Sequence, residues 1–123
     1  MLRLSLIVAL TVINIIPVRV SARETVEDII RRVWPDDSEQ VALRVADRES
    51  RLRPNAIGCS GRCFGIFQIM YPVHRAWLRQ MGIVSADQLL DAETNVRAAL
   101  RLHELTDESW SPWCHSSGFP RRC

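Results

Sequence analysis

The stretch Val41-Ala42-Leu43-Arg44-Val45-Ala46-Asp47-Arg48-Glu49-Ser50 reads as a helix whose apolar stripe ends on a carboxylate. Ala42, Val45, Ala46 and Glu49 recur at helical intervals and share one face. A glutamate on a face bound for the core is costly unless something uses it. Carboxylic acids in apolar surroundings at the negative end of a helix tend to keep their proton. A general acid for glycosidic cleavage needs that property near neutral pH. At a frayed helix end the same residue would be an ordinary solvated side chain, so the flanking sequence has to decide.

Working outward, punctuation signals divide the chain into helices with short connections. Glu24 to Val33 predicts a first helix, with Thr25 and Asp28 able to form a capping box and Pro35 just beyond. Asp36-Asp37-Ser38 is expected to cap the Glu49 helix, with Gln40 three residues after Asp37, and the helix to run to about Ser50, stopped by Arg53-Pro54-Asn55. Gly58-Cys59-Ser60-Gly61-Arg62-Cys63 is a tight turn, at most a very small hairpin. Pro72 opens a helix to about Gln80, ended by Gly82. Ser85 with Gln88 caps a short helix. Asp91 or Thr94 begins the last long one, to about Leu105, with Val96, Ala99, Leu100 and His103 on one stripe. Five helices around one core with almost no strand predict an all-α fold. Trp34 and Trp77 fall at helical positions and read as core.

The N-terminal residues read as a processing segment. Arg3 supplies a positive charge, Leu4 to Val18 is almost wholly apolar, and Val20-Ser21-Ala22 offers the small residues of a cleavage site. That apolar run is shorter than the roughly twenty residues of a spanning helix. Residues 1–22 are therefore expected to be a signal peptide and 23–123 the mature domain. The protein is expected to be secreted, to the extracellular space, cell wall or periplasm, with no stable membrane anchor after cleavage. Removing Arg3 and Arg19 leaves 14 arginines against 14 acidic residues. A near-neutral domain lacks the basic excess of a nucleic-acid binder. A monomer is expected.

Cys59, Cys63, Cys114 and Cys123 all lie in the expected mature part, and their even number predicts disulfides. Three pairings are possible, and proximity favours Cys59 with Cys63 and Cys114 with Cys123. A metal site built on Cys59, Cys63 or Cys114 with His74, His103 or His115 lacks a Cys/His partner at a matching interval, and the three histidines read as helix-surface or capping residues. No metal and no cofactor are expected.

Ala46-Asp47-Arg48-Glu49-Ser50-Arg51-Leu52-Arg53-Pro54-Asn55-Ala56 resembles the first motif of the lysozyme-like lytic transglycosylases, the SLT domains, in which a helix ends on Glu-Ser. Gly65-Ile66-Phe67-Gln68-Ile69 resembles their second motif, at a similar interval. Leu90-Asp91-Ala92-Glu93-Thr94-Asn95-Val96 resembles the stretch that opens a core helix in that family, where Asn95 would tie core segments together. The resemblance covers about Ser38 to Trp113. Two departures stand out. Gly58 occupies the position of a frequent serine nine residues after the glutamate. The later Ala-Tyr-Asn-Ala-Gly motif is replaced by Trp110-Ser111-Pro112-Trp113, and Tyr71 lies in another segment.

The resemblance implies a lysozyme-like fold and cleavage of the β-1,4 bond between N-acetylmuramic acid and N-acetylglucosamine, with peptidoglycan strands as the partner. Glu49 would be the single acid and base, and the muramic 6-hydroxyl the nucleophile, leaving a 1,6-anhydro end. Asp47, two residues away, turns to roughly the opposite helix face and is a poor second carboxylate. Gln68 either lines the cleft against substrate or satisfies backbone groups behind Glu49. Gly65 would allow the glycan close to the backbone or serve a plain turn. Phe67 is wall or core. Ser50 is a candidate substrate contact that fits a backbone-bonding role better. Trp110 and Trp113 either stack on sugar faces or form a lid over the core. A goose-type-like lysozyme that uses water and a catalytically silent peptidoglycan-binding module are the alternatives.

Overall fold

The structure, a computed structural model, describes residues 22–114. The expected signal segment, Ala22 apart, lies outside the described residues, as does Cys123 and with it the expected pairing of Cys114. Among the described residues, no helix is long and apolar enough to cross a membrane. Four α-helices form as the punctuation predicts: α1 (Val26–Val33), α2 (Glu39–Ser50), α3 (Tyr71–Gln80) and α4 (Ala92–Leu105). The expected short fifth helix is 3-10 rather than α, Ala86–Leu90, and a second 3-10 turn spans Ser111–Trp113.

The helix starts obey local chemistry. Thr25 and Asp28 close the expected box on α1. Asp91 Oδ2 accepts from the Thr94 amide at the start of α4 (2.9 Å). Gln88 Oε1 accepts from the amides of Val84 and Ser85, at 2.7 and 3.0 Å. The second helix differs from expectation. No side chain caps it, and Ser38 Oγ donates to the Pro35 carbonyl instead. Its end at Ser50 is where the sequence placed it, and there Arg51 and Leu52 adopt left-handed conformations (φ 54° and 59°) that turn the chain away.

The glycine-rich turn grows into a small antiparallel sheet. β1 (Ile57–Gly58) pairs with β2 (Cys63–Phe64), and β2 pairs with β3 (Ile69–Met70), with Phe64 opposite both Ile57 and Ile69. A hairpin was the most the sequence suggested. The third strand joins because the chain reverses tightly at Gly65, whose φ is 76°. α1 packs on α2 and α4. The core fills with Ile30, Val45, Ile66, Phe67, Leu78 and Val96, all almost fully buried. Trp34 is core as expected, whereas Trp77 is half-buried at its edge.

Asn95 is the hub of the connection between sheet and helices. Its side chain is fully buried. Oδ1 accepts from the Phe67 amide (2.8 Å), while Nδ2 donates to the carbonyls of Phe64 (2.9 Å) and Leu89 (2.8 Å). Gly65 passes directly over this carboxamide. A Cβ there would collide with Asn95 Nδ2 and the Leu89 carbonyl. The Asn95 role that the resemblance implied is thus realised in atoms. The use of Gly65 is corrected: it is buried, and its missing side chain makes room for Asn95, not for a glycan.

An ion cluster on the surface joins α1 to α4. Arg32 bridges Glu24 and Glu93, and Glu93 also pairs with Arg97. These groups are well exposed, so the cluster contributes little beyond orientation.

Substituting Asn95 by Ala should strip its partner from three backbone groups, two of them buried, and lower unfolding free energy by about 3 kcal/mol. Gly65→Ala should be comparably damaging, since it adds a left-handed strain to the collision. Urea titration of both variants checks this, and near-wild-type midpoints would contradict the hub assignment.

Candidate active site

Helix α2 delivers Glu49 to the mouth of a cleft of about 300 Å³. Glu49, Cys59, Cys63, Gln68, Met70 and His74 line it from one continuous stretch of chain, and Pro112 and Trp113 close it from the tail. Among the described residues, Glu49 is the one carboxylate in that lining. Its side chain keeps 16% of its accessible surface, enough to reach a ligand while most of it is packed. Asp47 is exposed, as its helical phase predicts.

Arg48 sets the glutamate's position. Its Nη2 donates to Glu49 Oε1 (2.9 Å) and to the Trp113 carbonyl (2.9 Å), so one guanidinium holds the acid and the tail together. The pattern of apolar residues gave no sign of Arg48, because it sits beside the stripe. Only the fork geometry of a guanidinium, which can serve two acceptors at once, hints at such a link.

Ser50, one residue on, is buried. Its hydroxyl donates to the Ile66 carbonyl (2.8 Å) and accepts from the Arg53 amide (3.2 Å). It therefore pins the second motif to the end of α2 and has no surface to offer a substrate, which corrects its candidacy as a contact. Phe67 is likewise corrected from cleft wall to core, being fully buried against Trp34 with ring centroids 5.6 Å apart.

Gln68 combines both of its expected roles. Its Nε2 donates to the carbonyls of Gly65 (2.9 Å) and Ala56 (3.2 Å), satisfying backbone behind the cleft. The residue nevertheless lines the cleft, held there in a left-handed conformation with φ 49°. Gly58 explains how the oxygen fits. A Cβ at that position would collide with Gln68 Oε1, so the departure from a serine leaves room for the amide.

The two tail tryptophans part company. Trp113 is 5% exposed, and its Nε1 donates to the Phe67 carbonyl (2.9 Å), so it forms a cleft wall anchored in the core rather than a free stacking platform. Trp110 does not line this cleft. It stacks on Trp34 (5.2 Å, 15° between planes) and against His103 (4.4 Å), beside a separate depression. His103 itself is buried, with Nδ1 against the Ser109 carbonyl (3.1 Å), where a surface or capping place was expected. The expected lid over the core is what both tryptophans supply. Tyr71 does not line the cleft, and its hydroxyl donates to the Val84 carbonyl (2.7 Å).

Cys59 and Cys63 are bonded, as proximity suggested, with Cα atoms 5.3 Å apart. The bridge pins the β1–β2 turn, where Cys59 and Ser60 are both left-handed. His74, expected on the helix surface, lines the cleft from α3. It is half-buried, accepts from Trp77 Nε1 at Nδ1 (3.1 Å), and burial lowers its pKa from the ordinary 6.5.

A helical layer, a three-stranded flap and a glutamate at the cleft between them define a lysozyme-like fold. The transglycosylase SLT domain model matches residues 33–113, and the chain belongs to that family. No curated protein and no solved structure matches the chain.

Two measurements bear on this geometry. Replacing Cys59 and Cys63 together by Ser should cost about 2 kcal/mol, the loop-closure value for so short a ring, read from denaturant midpoints. The pH dependence of melting should show two windows. His74 has a lowered folded pKa, so its contribution is fully present above 6.5 and is lost as pH falls toward the folded value. The Glu93 carboxyl is held down chiefly by its hydrogen bond from Arg32, so its contribution is lost only as pH falls below the ordinary 4.5. In His74→Gln the upper window should vanish and the lower one remain.

Proposed function

We propose that this protein is an exported peptidoglycan lytic transglycosylase with Glu49 as its single acid and base. One observation carries the reading: Glu49 is the one carboxylate in the cleft lining among the described residues. A mechanism that takes its nucleophile from a second enzyme carboxylate has no candidate there. A substrate that brings its own nucleophile needs none.

Glu49 donates its proton to the oxygen joining N-acetylmuramic acid to N-acetylglucosamine as that bond breaks and positive charge develops at the muramic C1. The 4-hydroxyl of the departing glucosamine sugar keeps the proton. The muramic 6-hydroxyl then attacks C1, and its proton passes to the Glu49 carboxylate. The product carries a 1,6-anhydro ring, Glu49 is protonated again, and no water is consumed. Arg48 keeps the carboxylate in place through the cycle, and Trp113 and Pro112 shield it on the tail side.

The Glu49→Gln variant should fold normally and lose cleavage by about a thousandfold, the typical weight of a general acid. Mass spectrometry of wild-type digests of peptidoglycan should find 1,6-anhydromuramic ends. Reducing ends with water added would instead make the enzyme a goose-type-like lysozyme, and intact binding without release would make it a silent glycan-binding module.

A further inference from the structure

The nitrogen donors of the cleft can be counted by elimination. Three lining side chains carry N–H groups: Gln68, His74 and Trp113. Gln68 Nε2 is turned inward to the carbonyls of Ala56 and Gly65. Trp113 Nε1 is turned inward to the carbonyl of Phe67. His74 differs, because its inward bond is made as an acceptor. Trp77 Nε1 donates to Nδ1, which fixes the tautomer and places the ring hydrogen on Nε2. The other lining side chains carry no N–H: the Glu49 carboxylate, the Cys59–Cys63 bridge, Met70, Leu102 and Pro112.

We propose that His74 is a substrate-binding residue that donates Nε2–H to the carbonyl oxygen of a sugar N-acetyl group. The assignment rests on the glycan reading of the cleft. An acetamido carbonyl is the strongest neutral acceptor on such a strand, and it loses hydrogen bonds to water on entering a cleft whose other side-chain N–H groups are spent on backbone carbonyls. A half-buried neutral imidazole meets it at small desolvation cost, where an ammonium would not. The Trp77 bond keeps the ring from flipping its donor away, so Trp77 acts as a positioning residue one turn along α3.

Binding is best measured without turnover. In the Glu49→Gln protein, calorimetric titration should compare a β-1,4 tetramer of N-acetylglucosamine with the same tetramer stripped of its acetyl groups. Adding His74→Phe, which keeps a ring and removes the donor, should weaken the acetylated tetramer about three- to tenfold. The stripped tetramer should bind the two proteins alike. His74→Gln, which restores an N–H, should recover part of the loss and guards against a folding defect in the Phe variant. Equal affinity of the Phe and His proteins for the acetylated tetramer overturns the assignment. So does an equal weakening for both tetramers, which would mean a packing role. If neither tetramer binds while His74 is intact, the glycan reading itself falls, and this assignment with it.

Discussion

Everything near the cleft hangs on one buried carboxamide. Asn95 has one acceptor and two donor hydrogens, and the chain brings it one amide and two carbonyls. That match fixes the path from Phe64 to Phe67 against α4. The path in turn fixes where Ile66 offers its carbonyl to Ser50 and where Gln68 enters the cleft. A buried polar group with this much at stake is safe only when fully satisfied, and here it is. Gly65 is the steric half of the same arrangement, since only a residue without Cβ can cross so near.

The cleft is then built by a division of inward and outward polarity. Arg48, Ser50, Gln68 and Trp113 direct hydrogen bonds at backbone carbonyls, which turns loose segments into a rigid wall. Rigidity matters for the proposed chemistry, because proton transfer to a glycosidic oxygen tolerates little misplacement. Hydrogen bonds aimed at backbone also leave the cleft itself sparsely furnished. Glu49, Gln68 and His74 stand among the Cys59–Cys63 bridge, Met70, Leu102, Pro112 and Trp113. Such a surface suits a sugar ring, with apolar faces and a few directed polar groups.

Much of this was legible in the sequence, for identifiable reasons. The helices could be read because Thr25 with Asp28, Gln88 with the amides of Val84 and Ser85, and Asp91 with Thr94 are local interactions within a few residues. The stripe ending on Glu49 could be read because helical phase is periodic. Positions set by contacts distant in sequence could not. The third strand depends on a reversal at Gly65 that only Asn95, thirty residues on, makes necessary. Phe67 and Ser50 sit in motifs that border the cleft, yet both point into the core, and sequence has no mark for direction at a motif's edge. Trp110 and Trp113 share a loop, but a 3-10 turn between them sends their rings to different cavities.

The tail's attachment has a consequence for how such a cleft can diverge. One of its links, from Arg48, ends on a main-chain carbonyl, which any residue at 113 would present equally. Another, from the indole of Trp113 to Phe67, demands that particular ring. Position 113 is thereby constrained while Pro112, which also faces the cleft, lies under neither bond. A substitution at residue 112 would therefore change the contour of the cleft while leaving both of those bonds in place, so the pocket's shape and the tail's anchorage can be varied separately.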